Sequence, residues 1–345
     1  MHKGATVCYF SISKRNHSEG VSMKTLVTAG TNPDLDGISS ALGYVELLTA
    51  QGEEAIAGFE GKPQLDAEFL LNHLNMTLSG IPDAFDEVVL VDLGNRVYAP
   101  RIVQKFPELV TKVIDHRILH NIEMEFPSLR DADIYLVGAC ATIVTEELYK
   151  NHIIPSHAVA TLLYAAIHSN TLNLKAGVTT ERDLKAVADL TTSYPMSQTL
   201  IEEMFAFRTR LSPDQMAFAL KNDFDAYGES PDGNFGISQI EALDATTLFR
   251  GNTELIYRTL LDLKTAFKLK YVFLTVPSIQ QGINYLYALD EETTQFLCRY
   301  FGNDIDVHEN LGKFGRILKT KKLLLRKQIK PMFQHIPELT KDEMR

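Results

Sequence analysis

Aspartates gather where apolar runs end. Asp34 and Asp36 stand in NPDLDG just after KTLVTAG, Asp92 follows EVVLV, and Asp115 and His116 follow VTKVI. A fourth polar group, Ser169-Asn170-Thr171, follows the apolar run AAIH. Carboxylates and an imidazole brought to one place form a hard-to-intermediate donor set, suited to Mn²⁺ or Mg²⁺. Like-charged carboxylates held close together repel, so such a cluster persists when a cation neutralises it. Taken singly, each segment has a plainer reading. Asp36 could be a helix N-cap, His116 a hydrogen-bonded core histidine and His168 a packed one. Recurrence at consecutive strand ends is what favours chemistry over these.

The elements that must position these residues follow from periodicity. KTLVTAG (24–30), EAIAGF (54–59), EVVLVDLG (87–94) and VTKVIDHR (110–117) are short apolar, β-branched runs, which predicts strands buried on both faces. ISSALGYVELLTAQG (38–52) has helical spacing and ends on Gly52. Helical patterns also cover 140–150 and 157–171. Strand–helix alternation of this kind predicts a parallel sheet whose carboxyl-end edge collects ligands, with the four polar groups above at four strand ends. Pro195 and small polar residues interrupt the pattern at TTSYPMSQ (191–198). Beyond it, strands are expected at FRTRLS (207–212), 234–243, 270–278 and 285–289, and a helix at 252–269. The fold class expected is α/β: a doubly wound parallel sheet, then a smaller mixed α/β C-terminal domain. The boundaries are an N-terminal extension over 1–22, a metal-binding domain over 23–192 and a substrate-binding domain over 198–345.

Composition narrows the partners. A net charge of −10 disfavours a duplex nucleic-acid binder but leaves small phosphates and divalent ions open. The basic run KTKKLLLRKQIK (319–330) reads as a solvated face or an anion-binding patch. Three scattered cysteines with no CxxC pair read as reduced thiols of a cytoplasmic protein, with Cys140 a small buried residue. No stretch has the roughly 18 apolar residues of a membrane span, and the N-terminus lacks the apolar core of a signal peptide.

Asp-x-Asp after the first strand, an aspartate ending a later strand, a DH-x triplet and an S-x-T segment resemble, in that order, the four motifs of the DHH phosphoesterase superfamily. DFDAYG…FGISQIEA (223–242) and LLLRKQIKP (323–331) resemble segments of the C-terminal domain on its branch of manganese-dependent inorganic pyrophosphatases and exopolyphosphatases. The GGGH motif of the nuclease and oligonucleotide-phosphatase branch is absent. The chain departs from the pattern in several places. Gly30 stands where the family has a motif-one histidine. The triplet is Asp115-His116-Arg117, the form of Prune-like members. Asn170 replaces an aspartate, Asp225 a substrate-binding lysine, and Leu325 an arginine.

The resemblance implies a hydrolase of phosphoanhydrides or phosphoesters, using Mn²⁺ or Mg²⁺. One metal would be held by Asp36, Asp92, His116 and the amide oxygen of Asn170. A weaker second one would be left with Asp34 and Asp92. Asp115 would orient His116 or the attacking water. Arg117, Arg326, Lys327 and Lys330 would bind phosphate in a cleft between the domains, and Arg117 would offset part of the lost charge at the metals. The expected partner is a small phosphorylated substrate, with no duplex nucleic acid and no membrane, and a homodimer is left open. Two alternatives stand beside the hydrolase: a catalytically impaired binding or regulatory protein, and a short-oligonucleotide phosphoesterase.

Overall fold

The computed structural model describes residues 23–117, 122–208, 211–228 and 230–333. The expected extension over 1–22 lies outside them. The chain divides into two compact units. The first takes the described chain up to Ala67, then Leu71–Ala166 and Ala186–Tyr194; the second takes Glu68–Leu70, Ile167–Lys185 and the chain from Pro195 onward.

The first unit is built on five strands: β1 (Lys24–Thr28), β2 (Glu54–Ala57), β3 (Glu87–Val91), β4 (Val110–Asp115) and β5 (Asp131–Ile134). Their order is β2-β1-β3-β4-β5, and every pairing is parallel. The apolar runs occupy the interior: Leu26, Val88, Leu90, Val110 and Val113 are fully buried in one cluster with Phe126. On the sheet's other face the helix Leu35–Ala50 packs against the helix Cys140–Lys150. A Cβ on Gly43 would lie 3.0 Å from Val144 Cγ1, so the small residue sets how closely those helices approach. After β1 the chain turns one way to β2 and then crosses back to β3. The crevice between the carboxyl ends of β1 and β3 is therefore the topological switch point, where open parallel sheets place their ligands.

The second unit holds β6 (Phe224–Tyr227), β7 (Phe235–Gln239), β8 (Tyr271–Ser278), β9 (Ile283–Ala288), β10 (Ile305–Asn310) and β11 (Arg316–Thr320), in the order β10-β11-β9-β8-β7-β6. Only β7 and β8 run parallel within it, so the sheet is mixed. Strand alternation sends Val272, Leu274 and Val276 of β8 into one buried cluster and Tyr271 and Phe273 into another, so this sheet also has a core on each face.

Two expectations are corrected. Ser169-Asn170-Thr171 does not close a strand: Asn170 is the last residue of the helix His157–Asn170, whose apolar spacing continues through Ile167. Nor is Asp36 the N-cap of the first helix. Asp34 is, its side chain accepting from Gly37 N at 2.9 Å, and Asp36 lies in the first turn.

Candidate metal centre

Three strands of the first unit deliver the acidic residues. The loop after β1 carries Asp34 and Asp36, Asp92 directly follows β3, and Asp115 closes β4 with His116 and Arg117 next. One ligand atom each of Asp36, Asp92 and His116 lie within 4.8 Å of one another. Asp36 is 1% exposed and His116 7%. His116 Nε2 is 3.3 Å from Asp92 Oδ1 and 3.8 Å from Asp36 Oδ2. Its Nδ1 faces the Val137 carbonyl at 3.2 Å. A carbonyl only accepts, so Nδ1 carries hydrogen and Nε2 turns towards the two carboxylates, the arrangement of a metal-ligating imidazole.

Asp92 has a left-handed backbone, with φ +52°. A non-glycine residue in that region is strained, and such strain concentrates at functional sites. Gly37 allows the first helix to start close by: a Cβ there would sit 2.6 Å from Ala29 Cβ.

The electrostatics are those of crowded acids. Burial, then Asp92 and Asp36, hold the Asp34 carboxyl well above the usual range. Burial and Asp92 push Asp36 up to about 7, although His116 and the amides of Ala141 and Cys140 oppose this. Those amides donate to both Asp36 oxygens, Cys140 N to Oδ2 at 2.8 Å and Ala141 N to Oδ1 at 2.7 Å. They open the helix Cys140–Lys150, whose N-terminal dipole favours an anion. This contribution comes from backbone and is missed by a reading based on side chains. Its one signal is the small-residue run VGACAT before a helical pattern.

Burial also disfavours charge on Asp92, but Arg117 and His116 outweigh it and hold this carboxyl below the usual range. His116 is raised to about 9: its burial is overcome by Asp92 and Asp36. Without a metal the cluster therefore retains protons. Two desolvated carboxylates and an imidazole with an inward Nε2 fit a divalent ion of the Mn²⁺ or Mg²⁺ type.

The remaining expected residues are placed as follows. Asp115, fully buried, braces Arg117, accepting from its Nε at 2.9 Å and its backbone N at 3.1 Å. Val137, not Asp115, orients the His116 ring. Arg117 also reaches Asp92, with Nη2 2.8 Å from Oδ1 and bonded to the backbone carbonyl. Asn170 is half-buried and, with residues 167–185, belongs to the second unit. His168 is buried and its ring Nδ1 meets Asn173 Oδ1 at 2.7 Å. Burial lowers it to about 4, so it is the packed, neutral histidine of the plainer reading.

In the second unit Arg326 is bracketed by carboxylates. Its Nη2 lies 2.7 Å from Asp223 and 3.3 Å from Asp225, its Nη1 donates to the Asp223 carbonyl, and its backbone N to Gln239. Asp223 was not singled out from the sequence. The signal for it is the DFD alternation, which puts Asp223 and Asp225 on one face of an extended segment. Lys327 is exposed, and Lys330 Nζ sits 4.7 Å from the centre of the Tyr227 ring. Of the basic run, Thr320, Leu323, Leu325 and Ile329 are buried.

Comparison with known proteins agrees with this architecture. The model of the DHH family N-terminal domain matches residues 24–167. A probable manganese-dependent inorganic pyrophosphatase of Listeria welshimeri is 30% identical over 237 residues, covering 67% of this chain and 75% of that protein. One of the same name from Deinococcus radiodurans is 28% identical over 292 residues, covering 80% and 88%. Among solved structures, a candidate family II inorganic pyrophosphatase of Methanococcus jannaschii superposes with a TM-score of 0.65 at 18% identity, covering 90% of this chain and 98% of that one. At that identity the likeness speaks for the fold.

Proposed function

This chain belongs to the DHH family, and on that premise we propose that it is a divalent-metal-dependent phosphohydrolase of phosphoanhydrides or phosphoesters, with pyrophosphate or short polyphosphate as its first candidate substrates. The observation that carries this is the meeting of Asp36, Asp92 and His116 at the switch point of a parallel sheet. These three would hold the ion, with Asp34 left to a weaker second one and Asn170 a candidate by the resemblance alone. When bound, a Mn²⁺ or Mg²⁺ ion lowers the pKa of a coordinated water and neutralises phosphoryl oxygens. The chain's own residues do the rest. Val137 fixes the His116 tautomer, the amides of Cys140 and Ala141 hold Asp36 in place, and Asp115 steadies Arg117 for contact with a phosphate oxygen. In the domain division proposed from the sequence, residues 23–192 bind the metal, and 198–345 supply an anion-binding surface from Arg326, Lys327 and Lys330.

A second reading, a phosphate-ligand-binding protein with impaired catalysis, is favoured by one observation: Arg326 is already neutralised by Asp223 and Asp225. The experiment is phosphate release from pyrophosphate, polyphosphates and nucleotides with Mn²⁺, Mg²⁺ or Co²⁺, in the parent and in Asp92→Ala. Release that Asp92→Ala abolishes supports the hydrolase. Absence of release from every substrate, together with a raised melting temperature when one of them is added, supports the binding protein.

A further inference from the structure

Among the described residues, Arg117 stands out in the acidic cluster as a cation that never loses its charge. It is held by its own strand end, through Asp115, and reaches across to the end of the neighbouring strand. There its Nη2 takes both the backbone carbonyl and Oδ1 of Asp92, a residue whose left-handed backbone is displayed to it. Asp92 Oδ1 is also the oxygen nearest His116 Nε2. The guanidinium is thus fixed on Asp92 Oδ1 and Asp115, close enough to feel the charge of Asp34, the other carboxylate left for a second ion. A guanidinium and one divalent ion nearly balance Asp34, Asp36, Asp92 and Asp115. The helix N-terminus on Asp36 offsets part of what remains.

We infer that Arg117 is a built-in counter-cation that limits this centre to a single divalent ion and keeps it folded when that ion is absent. The inference rests on the reading of Asp36, Asp92 and His116 as a metal centre. A second divalent ion between Asp34 and Asp92 would have to share Asp92 with the guanidinium and stand beside a fixed positive charge.

The test uses the full chain and Mn²⁺ alone. Bound Mn²⁺ per chain is counted after equilibrium dialysis, and the melting temperature is measured in chelator. The parent and Arg117→Lys should each bind one ion. Arg117→Met should melt lower without metal, gain more from Mn²⁺, and rise towards two ions per chain. Asp115→Asn combined with Arg117→Met removes one charge of each sign, so it should return to one ion and a melting temperature near the parent's, which covers the case in which Arg117→Met alone does not fold. Two ions in the parent, or a count and metal-free melting temperature unchanged in Arg117→Met, overturn the inference. So does a double variant that binds two. Phosphate release plays no part: a chain that hydrolyses nothing yet counts one ion in the parent and two in Arg117→Met upholds the inference while the hydrolase reading fails. A parent that binds no Mn²⁺ overturns both.

Discussion

Two arginines expected to grip phosphate are each also held by the protein's own carboxylates. Arg117 lies against Asp92 and Asp115 in the first unit, and Arg326 against Asp223 and Asp225 in the second. What surrounds each pair differs. Around Arg117 the acids outnumber it: Asp34 and Asp36 are also present, and His116 points a nitrogen at two of them. That surplus calls for another cation, and the burial of Asp36 and Asp115 makes the need acute. Around Arg326 the carboxylate side chains are 40% and 53% exposed. Desolvation, opposed by Arg326 and reinforced by Glu241 and Asp225, still pushes Asp223 up to about 7. The difference is that no histidine is among the groups that shift it. The same motif, an arginine between two aspartates, adjoins the candidate cluster of Asp36, Asp92 and His116 in one setting and lies among further carboxylates in the other.

The contrast can be broken most sharply by removing one acid from each side. Asp92→Ala should weaken Mn²⁺ binding beyond the ~100-fold typical of losing an outer-shell partner, because it removes a proposed ligand itself. Asp223→Ala should leave Mn²⁺ affinity unchanged. Equal losses in a calorimetric titration would erase the distinction.

Next in size is pH. Metal must displace protons from His116, raised to about 9, and below about 7 from Asp36 as well. Affinity therefore rises with pH, by about tenfold per unit for one displaced proton between 7 and 9 and more steeply below 7. Titrations at pH 6 and pH 8 should differ by at least about 100-fold, and a flat profile would contradict the protonation pattern of the metal-free cluster.

On the second unit, Asp225→Asn should release half of the hold on Arg326 and tighten binding of a non-hydrolysable pyrophosphate analogue by about tenfold, the lower end for one charge-assisted contact. Asp225→Lys should tighten it further and recover part of any pyrophosphatase activity. No gain from either would mean that Arg326 does not meet the anion.

The smallest effect is expected at Gly30. A Cβ there meets Tyr98 O at 3.4 Å and Leu93 Cδ1 at 3.8 Å, which is ordinary contact. Gly30→His should fold with little change in melting temperature and raise Mn²⁺ affinity a few-fold. A large loss of stability would show that the space is not there.

Much of the first unit was legible because its strands are buried on both faces. β1, β3 and β4 announce themselves as β-branched runs, and each hands its polar residues to one edge of a parallel sheet. β5 and β6 were not legible: they are edge strands of four residues each, DADI and FDAY, whose polar, exposed pattern is that of a loop. The end of the helix His157–Asn170 was misplaced as a strand end because its apolar run is almost continuous and shows little period. The meeting of Asp36, Asp92 and His116 could be read from residue types at strand ends. The partners of Asp36 could not, since they are backbone amides of a helix about a hundred residues away. The capture of Arg326 by Asp223 and Asp225 was equally hidden, because it depends on β6 pairing with β7.

The account turns on whether one divalent ion sits between the ends of β1, β3 and β4. Anomalous diffraction at the manganese edge, from crystals grown with Mn²⁺, locates it directly. The expected result is a peak about 2.2 Å from carboxylate oxygens of Asp36 and Asp92 and from His116 Nε2. Density for Mn²⁺ elsewhere, with none among these three residues, would contradict the central claim.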